Sequence, residues 1–444
     1  MDDSSTIGVL EGQATGAADV TLRGDHIPGT EYTSPEFMHL EMERVWGKVW
    51  NIGGWAAEIP QPGDFITHQL GRESILMARQ GDGSVKAFHN VCQHRGNRLV
   101  YSESGWAEAF TCIYHGWKYA MDGALVDVQD RDDFAQGDPC GKLRLIEIPS
   151  AVWAGFVWYN LDENCRPLEE FLGQFKHELE PYRVEQMTRV LNRVSEVPCN
   201  YKCIHDNFCE SYHLPTAHPQ LAGFFDDDYK NTDFLLYDEG HSLMKMKGAL
   251  PSVRDADHVS EVLAAEMQEW DLDPAEFSGR AREVRAAMQQ QKRKLGPQRG
   301  FHHFPGLRDN QLTDRYHFNL FPGLSVTMSP ISLVFQRAEP HPTDPNKCIY
   351  EQWCLAHGPN KDGLVMTPAG PRPFENADKQ TVIYGEESLG FVPDQDLQVC
   401  TGQQLGFQSS GFKGMYLAGQ EDRVQQFHEC LHDYMDGTRP GDVA

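Results

Sequence analysis

The alternation of apolar and polar positions divides the chain into a β-rich first third and a mixed remainder. From about residue 49 to residue 162, short apolar runs are separated by glycine turns, and this pattern predicts an all-β module. A helix is predicted on each side of the module, the first opened by Ser34 and Pro35. The predicted strands include 64–69, 74–79, 85–88 and a buried strand pair at 148–159, and the predicted helices are 34–45 and 168–182.

The rest of the chain mixes helical and extended patterns. Helical spacing is clearest in 201–213 and 421–435, and extended patterns return at 316–338 and 348–357. Residues 251–299 differ from their surroundings, because Leu263, Met267 and Trp270 follow helical spacing and a second helical segment follows. We therefore expect a helical hairpin inserted in the second domain.

These patterns predict an α+β protein with three parts. Residues 1–44 form an N-terminal arm and helix, residues 45–165 an all-β domain, and residues 166–444 a second domain that carries the insert 251–299. The first 30 residues are rich in Gly, Ala, Asp, Ser and Thr, which is typical of a mobile arm.

Composition and charge exclude some partners. The chain has 444 residues, 39 Lys and Arg against 65 Asp and Glu, and a formal net charge of −26. Such a deficit of cations argues against binding to nucleic acid or to an anionic membrane surface. The acidic start lacks the features of a secretory signal, and the longest apolar run is too short to cross a bilayer. We expect a cytoplasmic protein whose eleven cysteines are thiols or metal ligands.

The most specific signal is a pair of short Cys/His segments. Cys92 and His94 form C-x-H, and Cys112 and His115 form C-x2-H seventeen residues later. Two Cys and two His suit either a structural zinc ion or a [2Fe–2S] cluster with one iron held by thiolates and the other by imidazoles. In zinc fingers the Cys pair and the His pair are separate, whereas here Cys and His alternate. The arrangement therefore favours the iron–sulfur cluster.

The surrounding segments, FHNVCQHRGNRL and FTCIYHGWKY, resemble the Rieske domain of the Rieske non-haem iron oxygenases. The resemblance implies that Cys92, His94, Cys112 and His115 hold a Rieske [2Fe–2S] cluster. Imidazole ligation raises the reduction potential, which suits an acceptor of electrons from a ferredoxin or a reductase.

A second candidate site follows in the segment NYKCIHDNFCESYHLPTAHPQ, residues 200–220. If residues 201–213 are helical, Asn207, Glu210 and His213 lie along one face, and His218 follows beyond Pro215. Two imidazoles and a carboxylate from elsewhere in the chain would bind one face of Fe(II) and leave its other coordination positions open. A His pair at this spacing, taken alone, is more often structural.

The string D-N-F-C-E-S-Y-H-x4-H-P resembles the mononuclear iron motif of the same oxygenases. The resemblance implies that His213 and His218 are iron ligands, and that Glu210 bridges to the Rieske histidine of a neighbouring subunit, here His115. Asn207 is a further candidate for the catalytic site. Many ring-hydroxylating members have Asp at the position of Glu210, and Glu is shared with members that act on carnitine, choline or betaine-like substrates.

The third iron ligand is expected after Pro393. The run from Pro393 to Cys400, followed by Gln404, resembles the family segment in which an acid–Asp pair opens a helix, and its offsets select Asp396. Gln395 stands where an acid is usual, so the match is partial. Asp394 is the alternative, and capping of the helix N-terminus is a structural explanation for either carboxylate.

The resemblance covers residues 44–436 and implies a terminal oxygenase with a Rieske cluster and mononuclear Fe(II). It implies a helix-grip (START-like) second domain with an antiparallel sheet, a homotrimer, and in some members a small β subunit. No dinucleotide-binding fingerprint is present in the sequence, so a separate ferredoxin or flavin reductase is expected to deliver electrons.

The expected substrates are O2 and a small organic molecule. We expect dihydroxylation or hydroxylation of an aromatic or other bulky apolar compound. The alternative is a monooxygenase or demethylase that acts on a quaternary amine or a methoxy compound. A non-catalytic Rieske electron-transfer protein is the competing class.

Overall fold

The computed structural model describes residues 20–360 and 362–439. It confirms the predicted α+β class, because an all-β N-terminal part precedes a part that combines helices with a large antiparallel sheet. Residues 1–19 of the predicted arm lie outside the described residues.

The N-terminal part consists of short antiparallel strands in three sheets. The strands are β1 Asn51–Trp55, β2 Asp64–Leu70, β3 Glu73–Arg79, β4 Val85–His89, β5 Ser104–Trp106, β6 Ala109–Thr111, β7 Lys118–Ala120, β8 Leu125–Asp127, β9 Glu147–Ile148, β10 Ser150–Trp153 and β11 Phe156–Tyr159. The sheets have the orders β5-β2-β3-β4-β9, β6-β7-β8 and β1-β11-β10, and β10 pairs with β11 as the predicted strand pair. One Cys/His segment lies between β4 and β5, and the other joins β6 to β7.

The second part is built on one large sheet and a separate hairpin. The strands of the sheet are β12 Thr188–Val197, β13 Asp233–Leu236, β14 Ser242–Met246, β15 Arg315–Leu320, β16 Leu324–Met328, β17 Ser332–Pro340, β18 Cys348–Ala356 and β21 Gln380–Thr381, and those of the hairpin are β19 Leu364–Thr367 and β20 Gly370–Pro373. The order in the sheet is β13-β14-β15-β16-β17-β18-β12-β21. Every pairing in this sheet is antiparallel except that of β12 with the short β21.

The described residues also form α-helices. They are α1 Thr30–Thr33, α2 Pro35–Glu41, α3 Leu168–Leu179, α4 Tyr201–Phe208, α5 Leu214–Ala217, α6 Glu261–Glu269, α7 Val284–Leu295, α8 Phe391–Phe407 and α9 Asp422–Asp436. The helix α2 continues into one π-helical turn, Met42–Trp46. The predicted insert contains α6 and α7, joined by 3-10 turns. None of the described helices has an apolar stretch long enough to span a lipid bilayer.

The helix α4 occupies the centre of the second part. It contacts β16, β17, β18 and α8, and all eight of its residues are buried. One of the buried residues is Lys202, and a buried ammonium group requires a partner of opposite charge. Lys202 donates hydrogen bonds to both carboxylate oxygens of the equally buried Glu41, at 2.8 and 3.0 Å. This buried ion pair joins α2 to α4.

The helix α4 is shorter than predicted. We expected helix through residue 213, but α4 ends at Phe208. The Glu210 carboxylate accepts the backbone N–H groups of Tyr212 and His213, and so takes the place of the carbonyl acceptors that a continuing helix would provide. Glu210 and His213 therefore lie in a turn, and the expected single helical face with Asn207 is wrong.

Two candidate metal centres

The two Cys/His loops have the same backbone design. The N–H of Cys92 donates to the carbonyl of Asn97, and the N–H of Gly96 donates to the carbonyl of Cys92, at 2.8 and 3.0 Å. Cys112 repeats this pattern with Trp117 and Gly116, at 2.8 and 2.9 Å.

A positive φ closes each of these loops. The φ angles are +74° at Gly96 and +71° at Gly116, in the region that glycine adopts without a steric penalty. Two equivalent loops thus present one Cys and one His each to a common centre.

The side chains of these loops suit a cluster of two irons. Cys92 and Cys112 are buried, and the rings of His94 and His115 lie 4.7 Å apart between centroids. The Nδ1 atom of His115 is buried and has no hydrogen-bond partner, as a metal-ligating nitrogen requires. Other His, Cys, Asp and Glu side chains of the described residues form groups of three whose ligand atoms all lie within 4.8 Å of one another, but these four residues do not form such a group. A single zinc ion needs ligand atoms that close together. The wider separation of these ligand atoms therefore favours a two-iron cluster over zinc.

Neighbouring groups support the loops. The hydroxyl of the buried Tyr119 lies 3.4 Å from the Cys92 sulfur and accepts the N–H of Gln93 at 3.0 Å. Trp117 is buried and stacks on His94, with ring centroids 4.6 Å apart and planes 7° from parallel. Between Cys112 and His115 in the second loop, the side chains of Ile113 and Tyr114 are 75% and 54% exposed. The imidazole edge of the centre therefore lies close to the surface.

The second centre brings together three of the residues singled out from the sequence. The Nε2 atom of His218 lies 2.7 Å from Asp396 Oδ1, and Nε2 of His213 lies 3.6 Å from the same oxygen. One ligand atom from each residue can be chosen so that all three lie within 4.8 Å. This is the donor set of two imidazoles and one carboxylate that suits Fe(II) with open positions.

The outer nitrogen of each histidine has its own acceptor. Glu210 Oε1 lies 2.5 Å from His213 Nδ1, and Gln395 Oε1 lies 2.8 Å from His218 Nδ1. Partners of this kind fix the tautomer, so that each Nε2 presents its lone pair inward. Burial by itself lowers the pKa of His218, but the hydrogen bond and charge of Asp396 outweigh burial and raise that pKa. The centre therefore favours a positive charge, as a metal-binding site must.

Asp394, the alternative to Asp396, points elsewhere. Its carboxylate accepts the hydroxyl of Ser388 at 2.5 Å and the N–H of Leu389 at 2.8 Å. Asp394 thus stabilises the start of α8, whereas Asp396, buried one position beyond Gln395, faces the histidines.

The sequence pattern does not single out two polar groups near this centre. Gln395 departs from the family pattern, but its amide oxygen is the acceptor for His218. The second group is His317 on β15, whose ring lies 5.9 Å from that of Phe208 and whose buried Nε2 has no hydrogen-bond partner. Burial lowers the pKa of His317 to about 3, and a charge on His213 acts in the same direction. The alternation of β15 gave no sign of this, because His317 stands in an ordinary strand pattern.

Comparison with known proteins bears on both centres. Residues 49–148 match the model of the Rieske [2Fe-2S] domain, and residues 184–437 match the model of the ring hydroxylating alpha subunit (catalytic domain). The first range contains Cys92, His94, Cys112 and His115, and the second contains His213, His218 and Asp396. The two matches thus imply a Rieske cluster and a mononuclear iron, and the residues described above fit both groups.

Curated relatives are similar over part of the chain. The glycine betaine monooxygenase oxygenase subunit of Pseudomonas aeruginosa is 33% identical over 229 residues, which are 50% of this chain and 52% of the relative. The chlorobenzene dioxygenase subunit alpha of Cupriavidus sp. is 35% identical over 194 residues, 42% of each chain. The chain thus spans about half the length of the curated relatives it matches.

Solved structures share the fold. A naphthalene 1,2-dioxygenase with indole bound in its active site has a TM-score of 0.68 at 19% identity, with 95% of each chain covered.

Proposed function

Because this chain belongs to the family of ring-hydroxylating oxygenase alpha subunits and has a Rieske domain before the catalytic domain, we propose that it is the terminal oxygenase of a multicomponent Rieske system. One observation carries the proposal: the same chain holds two Cys/His loops suited to a [2Fe–2S] cluster and, separately, the His213–His218–Asp396 group. A non-catalytic electron-transfer protein would have no need of the second group.

Each of these residues has a role in the proposal. When bound, the cluster supplies electrons and the mononuclear iron supplies the activation of O2. Asp396 provides the negative charge of the iron site, and His213 and His218 provide neutral donors. Glu210 and Gln395 hold the two rings in position through their outer nitrogens. The buried Asn207 lies next to this turn, and its Oδ1 has no hydrogen-bond partner, so it is a candidate to position substrate or water.

Electrons have to reach the second centre from a partner protein. We propose that a separate reductase, with or without a ferredoxin, reduces the cluster at its exposed edge around Ile113 and Tyr114. We also propose a trimer in which Glu210 of one subunit bridges to His115 of the next. Within the described residues of one chain, Glu210 bonds only within its own turn. Since the buried Nδ1 of His115 is left for the cluster, the bridge would use the Nε2 atom of that ring.

For the substrate we propose a quaternary ammonium compound. The glycine betaine monooxygenase subunit is among the relatives above 30% identity. The family resemblance also pairs Glu, the residue at position 210, with members that act on carnitine, choline or betaine-like substrates. The net charge of −26 would also attract a cationic substrate. Hydroxylation of an N-methyl carbon consumes O2, two electrons and two protons and gives water and an N-hydroxymethyl group. That group then breaks its C–N bond to release formaldehyde, the amine and a proton.

An aromatic substrate is the second candidate, and the similarity to the chlorobenzene dioxygenase subunit favours it. In that case both oxygen atoms of O2 would enter the ring, and two electrons and two protons would complete a cis-dihydrodiol. The two candidates therefore differ in the number of labelled oxygen atoms that the product contains.

The test combines iron analysis with product analysis. The purified chain should contain three irons, two in a cluster with a Rieske EPR signal and one mononuclear ferrous ion. With a surrogate reductase, NADH and 18O2, the chain should convert one member of a panel of betaine, choline, carnitine and simple arenes. N-demethylation would give formaldehyde and an unlabelled amine, whereas dihydroxylation of an arene would give a diol with two labelled oxygen atoms. A His218→Ala variant should keep the EPR signal and form no product. A chain that binds the cluster but no mononuclear iron would contradict the proposal.

The trimer is tested by mixing inactive chains. Cys92→Ser chains lack the cluster, and His218→Ala chains lack the mononuclear iron. Co-assembled, they should recover turnover only if electrons pass between subunits. If the turnover rate of the mixture does not exceed the summed turnover rates of the two separate variants, a bridge between Glu210 and His115 is contradicted.

A further inference from the structure

A second group of two histidines and one carboxylate lies where the two ends of the described chain meet. His428 and His432 are one turn apart on α9, and Glu31 belongs to the short helix α1. One ligand atom from each of the three can be chosen so that all lie within 4.8 Å, as in the His213–His218–Asp396 group. We propose that Glu31, His428 and His432 form a binding site for a divalent transition-metal ion of the zinc type.

The histidines are oriented as metal ligands are. His428 Nε2 lies 3.1 Å from Asp206 Oδ1 and 2.9 Å from the hydroxyl of Tyr32, and His432 Nδ1 lies 3.1 Å from Asp25 Oδ2. A carboxylate therefore holds the outer nitrogen of each ring and turns the other nitrogen inward. This carboxylate–histidine–metal arrangement is the usual support of a metal-ligating imidazole.

The inward atoms are incompletely paired. Glu31 Oε2 and His428 Nδ1 are both buried and form no hydrogen bond, although they lie 3.4 Å apart. His432 Nε2 lies 3.0 Å from the other oxygen of Glu31. Ligand bonds of about 2.0–2.1 Å in a tetrahedral site place neighbouring ligand atoms roughly 3.3–3.4 Å apart. The spacing of Glu31 Oε2 and His428 Nδ1 is thus already that of two ligands of one ion.

The electrostatics of the site favour a cation. Three carboxylates lie close to the two imidazoles: Asp206 is 3.1 Å and Glu31 3.4 Å from His428 nitrogens, and Glu31 is 3.0 Å and Asp25 3.1 Å from His432 nitrogens. A bound dication would be neutralised by these negative charges.

Access and sequence agree with a structural ion. His428 is fully buried, while the His432 side chain keeps 20% of its surface exposed, which gives an ion a path of entry. The segment reads H-E-C-L-H, and paired histidines at this spacing on a helix are common metal ligands. Its Glu429 accepts the backbone N–H groups of Arg23 and Gly24 at 2.7–2.9 Å, so it is engaged in holding the N-terminal segment. The ion would fasten α1 to α9, two elements almost 400 residues apart in the chain.

The test measures zinc in a chain whose iron site is disabled. In a His218→Ala background with an intact cluster spectrum, equilibrium dialysis against Zn2+ should give one zinc per chain by elemental analysis. Adding His432→Gln or Glu31→Gln should reduce this to near zero. Adding His39→Gln, a change at an exposed histidine on α2, should leave it at one.

Crystals of the unmodified protein soaked in zinc give a second readout that does not depend on any variant. An anomalous difference peak at the zinc edge should lie between Glu31 and α9. Zinc should also raise the thermal midpoint of the His218→Ala chain, and His432→Gln should abolish that increase. The proposal is overturned if no peak lies there, or if zinc content does not respond to His432→Gln. Either result would leave only a network of contacts between carboxylates and histidines.

Discussion

Gln395 offers the sharpest test of how the proposed iron site is held. Its amide oxygen accepts from His218 Nδ1 at 2.8 Å, and the side-chain amide of Gln220 donates to the same oxygen at 2.8 Å. The change Gln395→Ala removes the acceptor and leaves His218, Asp396 and the fold of α8 in place. It therefore isolates the contribution of an outer hydrogen bond to iron binding.

The expected magnitude follows from the chemistry of this bond. A hydrogen bond between neutral groups contributes about 0.5–1.5 kcal/mol, which is roughly two- to tenfold in affinity. Loss of a metal ligand's outer partner typically weakens metal binding about 10- to 100-fold. The two ranges meet at about tenfold, or about 1.4 kcal/mol, which is the weakening of Fe(II) binding expected for Gln395→Ala.

The assay is an anaerobic titration of Fe(II) against a competing chelator, with the Rieske spectrum as a check on folding. Gln398→Ala is the matched control, because Gln398 is exposed on the same helix. Gln395→Glu should restore or strengthen binding, since a charged acceptor makes the stronger hydrogen bond. An affinity for Gln395→Ala within twofold of the wild type, or equal losses for Gln395→Ala and Gln398→Ala, would refute the reasoning.

Three further predictions concern other parts of the molecule. Asp396→Asn should lose the mononuclear iron and keep the cluster, whereas Asp394→Asn should keep both. The iron content per chain and the EPR spectrum measure this, and mononuclear iron retained in Asp396→Asn would contradict the assignment. Burial lowers the pKa of His241 to about 3, and its two nitrogens bond the Phe171 carbonyl and the Phe321 N–H as only a neutral ring can. The neutral His241 ring therefore contributes fully to the free energy of unfolding above pH 6.5, where the unfolded chain is also neutral at this residue. The contribution is lost as the pH falls towards 3, and the loss is about 2 kcal/mol at pH 5. Urea unfolding at pH 7 and pH 5 should show this loss reduced in His241→Gln, and an equal loss would contradict it. Lys202→Met should lower the free energy of unfolding by about 3–5 kcal/mol, because it leaves the Glu41 charge buried without its partner. Adding Glu41→Leu should recover most of this free energy. A decrease below about 1 kcal/mol for Lys202→Met in denaturant unfolding would show that the pair is unimportant for stability.

Much of the fold was predictable from local patterns. The strands around 64–89, the strand pair ending at Tyr159 and the last helix agree with the periodicity of their apolar residues. The end of α4 did not follow from periodicity, because the Glu210 carboxylate replaces backbone acceptors there. A side chain that captures backbone N–H groups leaves no trace in a pattern of apolar positions.

The sequence by itself determined the two Cys/His loops and the His213–His218 pair. These are local structures: each loop is closed by hydrogen bonds between residues four and five positions apart, so spacing alone specifies it. Only the tertiary structure distinguished the placement of Asp396 from that of Asp394 and gave Gln395 its partner, because both depend on how α8 packs beside the turn at His218. The same holds for Glu31 and His428, whose contact across nearly the whole chain arises from packing and from no local pattern.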